Sequence, residues 1–212
     1  MIRRTLFTLG LVVFVAAPGA AQVLGIPVVN NGAPTGLSIG ADVGFPNADY
    51  GSGTAVGAHA SLGLGFFGVS GMISHYSPKG GDAVWATGAS ATLRLIGGPL
   101  VPFRITMQAG AGRWTEAGVS VTHLPLSLGL AATIPNPAFS IKPWIAPRVD
   151  VQRSSGTSIE GGSVSSTDVH FGISGGIDLG LLNGMAIRAA YDRLSTDSVH
   201  PSVFSLGLGF SP

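Results

Sequence analysis

From residue 35 to the end, large apolar residues alternate with small or polar ones at a period of two, the mark of strands with two unlike faces. The closing run is the clearest. Phe204, Leu206, Leu208 and Phe210 share one face, opposed by Val203, Ser205, Gly207 and Gly209. Nine comparable runs precede it. The first sets Leu37, Ile39, Ala41, Val43 and Phe45 against Ser38, Gly40, Asp42 and Gly44. Val56 to Phe66 forms the second, and Val69 to Ile73 the third, after a very tight turn at residues 66–68. The fourth, Trp85 to Leu95, carries Arg94 on its small face, and the fifth, Phe103 to Ala111, carries Arg104 there. The sixth spans Val119 to Ile134, with Leu124, Leu126, Leu128 and Leu130 on the large face. Its Pro125 cannot donate to a ladder and predicts a bulge. In the last three before the closing run, Lys142, Arg148 and Asp150, then Asp178, then Arg188 and Asp192 stand on the small face.

The connections alternate too. Those after runs two, four, six and eight are compact turns, whereas the others are mostly longer or more polar, with Arg153 to Ser166 the longest loop. Short turns at one end and longer loops at the other are the asymmetry of a barrel that crosses a membrane. The pattern therefore predicts an all-β fold: a closed, antiparallel, transmembrane β-barrel of ten strands over residues 35–210. Without the tight turn at 66–68 the count becomes eight.

Composition narrows the choice. Of 212 residues only 10% are charged and 33 are glycine, whereas about a quarter of the residues of an ordinary soluble domain are charged. The stretches 51–74 and 117–141 lack Lys, Arg, Asp and Glu altogether. Their glycines, prolines and two-residue period oppose membrane helices, since each Gly costs a helix about 1 kcal/mol relative to Ala. Hydrocarbon leaves a closed barrel as the other solution. The net charge of +1 gives no electrostatic footprint for nucleic acid, and the absence of Cys excludes thiolate metal sites and cysteine nucleophiles. At the N-terminus, Arg3 and Arg4 precede an apolar run, Leu6 to Ala17, and the small residues Gly19 to Ala21. This reads as a signal peptide over residues 1–21, cleaved after Ala21. Residues 22–34 show no period and read as a short periplasmic lead-in.

Charge placement separates lipid from core. Asp42, Arg94, Arg104, Lys142, Arg148, Asp150, Asp178, Arg188 and Asp192 all fall on the small face. A cation on the opposite face at mid-bilayer would cost roughly 2–4 kcal/mol. Large residues therefore face lipid and the charges line the lumen. Aromatics gather near the run ends as two girdles: Phe66, Phe67, Phe103, Phe139 and Phe210 at one, and Phe45, Tyr50, Tyr76, Trp85, Trp114 and Tyr191 at the other.

With its signal peptide, alternating strands and closing aromatic strand, the chain resembles the small Gram-negative outer-membrane barrels, the OmpA-like and OmpW-like transmembrane domains. The resemblance implies an outer-membrane location, lipid contact, and handling by periplasmic chaperones and the barrel-assembly machinery. It also implies that Phe204, Leu206, Leu208 and Phe210 form the assembly signal, although Ser205 stands where that signal usually has Gly and Ser211 and Pro212 follow it.

No catalytic, cofactor-binding or metal-binding set stands out, and no cofactor or enzymatic activity is expected. Gly63 to Gly68 matches the dinucleotide fingerprint GxGxxG, but a strand rather than a helix follows. His59, Asp168 and His170 share inward faces without a spacing that specifies a site. The lumenal charges either pair as a space-filling network or form a basic constriction. The first reading expects a structural or surface-interaction role, and the second a narrow pore for small solutes, anions included. A lipid-modifying or proteolytic barrel enzyme ranks last.

Overall fold

A computed structural model describes residues 23–98, 101–157, 163–196 and 199–212, with backbone alone for Thr157 and Ser163. The expected signal peptide lies outside the described residues. Ten long strands follow one another: β1 Gly36–Pro46, β2 Thr54–Leu64, β3 Phe67–Ser77, β4 Val84–Ile96, β5 Phe103–Glu116, β6 Val119–Ala132, β7 Phe139–Thr157, β8 Ser163–Leu181, β9 Met185–Ser195 and β10 Ser202–Phe210. Each pairs antiparallel with its sequence neighbours, and β10 pairs with β1 to close the cylinder. The two residues Ile134–Pro135 add a short pairing to the base of β7.

The tight turn exists. Leu64 pairs with Phe67, and Gly65, at φ +73°, supplies the left-handed first position that a two-residue hairpin requires. The stretch 63–68 is thus the tip of a hairpin, not a phosphate-binding loop ahead of a helix. Both the β1 start and the β10 end lie at the end of the barrel that carries the turns after β2, β4, β6 and β8, here the turn end. The opposite, loop end carries the connections 47–53, 78–83 and 117–118, and the end of β7, the start of β8, the end of β9 and the start of β10.

Two expectations about strand regularity fail. Pro125 makes no bulge: β5 and β6 keep one register from Phe103↔Ala132 to Glu116↔Val119, and the pairing merely lapses opposite Pro125. The register shift lies between β4 and β5, near Arg94 and Ile96. Nor is 153–166 a loop. Most of it is strand, because serines, Thr157 and Val164 continue the ladder from Arg153↔Thr167 through Thr157↔Ser163. The β7–β8 hairpin outruns β9, whose last partner on β8 is Phe171.

The exterior is apolar around the barrel. Leu37, Ile39, Leu62, Ile73, Leu128, Ile177 and Leu208 are all exposed, while Asp42, Ser74, Thr106, Asp150 and Ser205 are buried within. Toward the loop end this belt stops at one row, Thr87–Arg113–Thr122–Arg153–Thr167, running across five strands. The row marks a membrane edge, since arginines there reach polar headgroups while their stems stay on apolar surface. The β7–β8 hairpin continues past it.

Candidate functional site: the barrel lumen

The largest departure from the sequence reading concerns residues 23–34. They are not a lead-in below the barrel. They run down its lumen from the loop end to the turn end, where the chain reverses into β1. At the loop end Val23, Leu24 and Ile26 are buried against Ala55, Tyr76, Val84 and Ala86, and Ser74 Oγ donates to the Leu24 carbonyl at 3.0 Å. Lower down, Val29 packs near Ala131, Trp144, Ala146 and Ala190, while Gln108 Nε2 donates to its carbonyl at 3.1 Å. Asn30, almost fully buried, donates from Nδ2 to Ser127 Oγ at 2.9 Å and accepts from Thr106 Oγ1 at 2.7 Å. Asn31 donates to Asp178. Pro34 ends the run beside Gly63 and Gly68.

The small lumenal face makes this possible. A methyl group on Gly129 would overlap the Asn30 side chain and carbonyl, and one on Gly172 would come within 2.6 Å of the Arg148 guanidinium carbon. Space left by small lumenal residues is taken up by the segment.

The lumenal charges separate into two groups. In the loop-end half, Arg148 presents Nη1 and Nη2 to Asp192 at 2.9 and 2.8 Å, a fork on a carboxylate, and Nε to Asp150 at 2.6 Å. Asp150 also faces His123 Nε2 at 2.9 Å. The Asp192 carboxylate accepts from the Val28 backbone N–H at 2.8 Å, which ties the threaded segment to the network. Arg148, Asp150 and Asp192 are all buried, and each has an opposite charge in contact. Bidentate arginine–carboxylate geometry is among the strongest of charge-assisted contacts.

The turn-end half differs. Arg188 Nε donates to Asp178 at 2.9 Å while its Nη1 lies 4.0 Å from Asp42, which in turn meets His59 Nδ1 at 3.0 Å. The His59–Asp42 and His123–Asp150 contacts are close without the alignment of formed hydrogen bonds. Arg104 and Lys142 line the same space, and among the described residues neither has a carboxylate within 4 Å. They border a cavity of about 270 Å³ that reaches turn-end residues such as Ser140, Gly180 and Gly184.

Arg94 lies apart from both groups and donates to the Gly65 carbonyl of the β2–β3 turn. Asp168 accepts from Ser166 Oγ at 2.8 Å on the projecting hairpin, two residues along the strand from the half-buried His170. Among the described residues no three His, Cys, Asp or Glu side chains converge as a metal site would need. Phe204, Leu206, Leu208 and Phe210, expected to form the assembly signal, face outward on β10, with Phe204 stacked on Phe45 at 6.4 Å between ring centroids. Trp85 and Tyr191 sit in the outer girdle as expected, but Tyr50, Tyr76 and Trp114 do not. Tyr76 is buried in the lumen and donates to the Tyr50 and Ser52 carbonyls, Tyr50 stacks edge-on against it, and Trp114 lies edge-on to His123.

A ladder closed on itself, an apolar belt and a polar interior define a transmembrane β-barrel of the outer-membrane type. No protein-family model and no curated protein sequence matches the chain. Solved structures of similar shape are outer-membrane barrels. The β domain of the Bordetella autotransporter Brka is 11% identical, with a TM-score of 0.45, over 84% of this chain and 99% of that one. The outer-membrane enzyme PagL is 16% identical, with a TM-score of 0.42, over 82% and 99%. The N-terminal barrel domain of Pseudomonas aeruginosa OprF is 10% identical, with a TM-score of 0.39, over 82% and 96%. At these identities and TM-scores the likeness carries no residue role across, and the fold stands on the ladder and the faces described above.

Proposed function

We propose that the chain is an integral outer-membrane barrel with a structural and surface-interaction role and no catalytic activity of its own. It is exported by the N-terminal signal, cut after Ala21, and delivered by chaperones to the barrel-assembly machinery, which reads the outward face of β10. The turn end then faces the periplasm and the β7–β8 hairpin faces outward. One observation carries this reading: the loop-end half of the lumen is filled by residues 23–28 and locked by the Arg148–Asp150–Asp192 network. A lumen stopped in this way holds the cylinder rigid and does not offer a water path, which opposes the pore reading. The hairpin beyond the arginine row is what remains to meet the surroundings.

An epitope placed within 158–162 should be labelled on intact cells, while the same epitope in the 182–184 turn should be labelled only after the outer membrane is permeabilised. The reverse pattern would refute the orientation. The refolded chain should also insert into planar bilayers without steady conductance, and sustained openings would refute the sealed lumen.

A further inference from the structure

We infer that the turn-end cavity is a binding site for a small oxyanion of the phosphate type, entered from the turn end and closed above by the threaded segment. Three cations border it, Arg104, Lys142 and Arg188, against the single carboxylate Asp178. That carboxylate is already engaged by Arg188 Nε at 2.9 Å and by the Asn31 amide. Asp42 lies beyond Arg188 and faces His59. Asp178 is also the cross-strand partner of Lys142, yet among the described residues no carboxylate comes within 4 Å of Lys142 or Arg104, and both border the cavity without a contacting protein anion.

Charge left over inside a barrel is costly unless it is hydrated or paired. The loop-end network shows that this fold pairs its lumenal charges where no ligand has access. An arginine fork and a lysine point charge, with the Ser140 and Thr92 hydroxyls lining the same cavity, form a donor set matched to tetrahedral or planar oxyanions. A volume of about 270 Å³ sits at the lower limit of ligand pockets, which suits a small anion and not a long oligosaccharide. Such an anion has two available sources at that end of the barrel: a free phosphate compound, or the headgroup of an inner-leaflet lipid.

The test is calorimetric titration of the refolded full chain with inorganic phosphate, first in zwitterionic detergent. Saturable one-site binding is expected, weakened at least tenfold in Arg104→Gln and in Lys142→Gln. Arg113→Gln, on the outer surface at the other end, should bind within twofold of the parent chain. Retention of the folded SDS mobility by each variant separates lost binding from lost structure. Repeating the titration in lipid nanodiscs distinguishes the sources. If phosphate binds equally with and without anionic lipid, the ligand is a free oxyanion. If anionic lipid suppresses phosphate binding and the suppression disappears in Arg104→Gln, the ligand is a headgroup. Absence of saturable binding in both settings, or binding indifferent to both substitutions, would overturn the proposal.

Discussion

The two halves of the lumen use the same residue types to opposite ends. Toward the loop end, Arg148 lies between Asp150 and Asp192 at 2.6 to 2.9 Å, His123 faces Asp150, and a backbone N–H of the threaded segment completes Asp192. Toward the turn end, Asp178 is already engaged, and Arg104 and Lys142 border an open cavity. The difference lies in access to water. A charge sealed beneath the segment must find its partner within the protein, because desolvation there costs several kcal/mol per ion. One beside an open mouth can keep its hydration and remain available. Substitutions in the two halves should therefore behave differently.

The largest effect should come from Arg148→Met, which removes the cation between two buried carboxylates. Stripping one partner from a buried pair typically costs about 3–5 kcal/mol, and the urea midpoint of the folded barrel should fall accordingly. Next is Gly129→Val, whose side chain would overlap Asn30. Overpacking of this kind costs about 1–3 kcal/mol, and here it should also loosen the segment, so that intermittent conductance appears in bilayers. Asn30→Ala leaves the Thr106 hydroxyl without its partner and removes the amide that donates to Ser127. A stability loss of about 1–3 kcal/mol is expected, measured by the same unfolding curve. The smallest effect belongs to the turn-end half. Because Arg104 has no carboxylate in contact and touches an open cavity, Arg104→Gln should shift stability by less than about 1 kcal/mol. A midpoint loss there as large as that of Arg148→Met would erase the distinction between the halves.

Most of the barrel was legible in the alternation because each strand meets two unlike media. Parity alone identified which face of β10 meets lipid and put Arg148, Asp150 and Asp192 inside. It also holds for Tyr76 and Trp114, which share the parity of Ser74 and Gly112 and do point inward. Assigning them to the girdle from their depth near a strand end gave the wrong face. Depth decides instead for Arg113 and Arg153. These have lipid-face parity yet are tolerated because their row lies at the membrane edge, and reading the charges by face alone passed over them.

The threaded segment was not legible. Residues 23–34 have no sheet partner and touch lumen walls on every side, so no two-residue period is imposed on them. Gly25, Pro27, Gly32 and Pro34 also break any helical one. The available signal was indirect. A lumenal face so rich in glycine leaves room for something, and the something was the chain itself. The two-group arrangement of charges was hidden for the same reason, since Val28 and Asn31 supply contacts that strand parity cannot foresee.

The central claim is that the lumen is sealed by residues 23–34. Single-channel recording of the refolded chain in a planar bilayer, beside a variant lacking 23–34, tests it most directly. The account predicts a silent parent chain and a variant that folds, migrates as a barrel in SDS and conducts. A parent chain that conducts steadily, with the same amplitude as the variant, would contradict it.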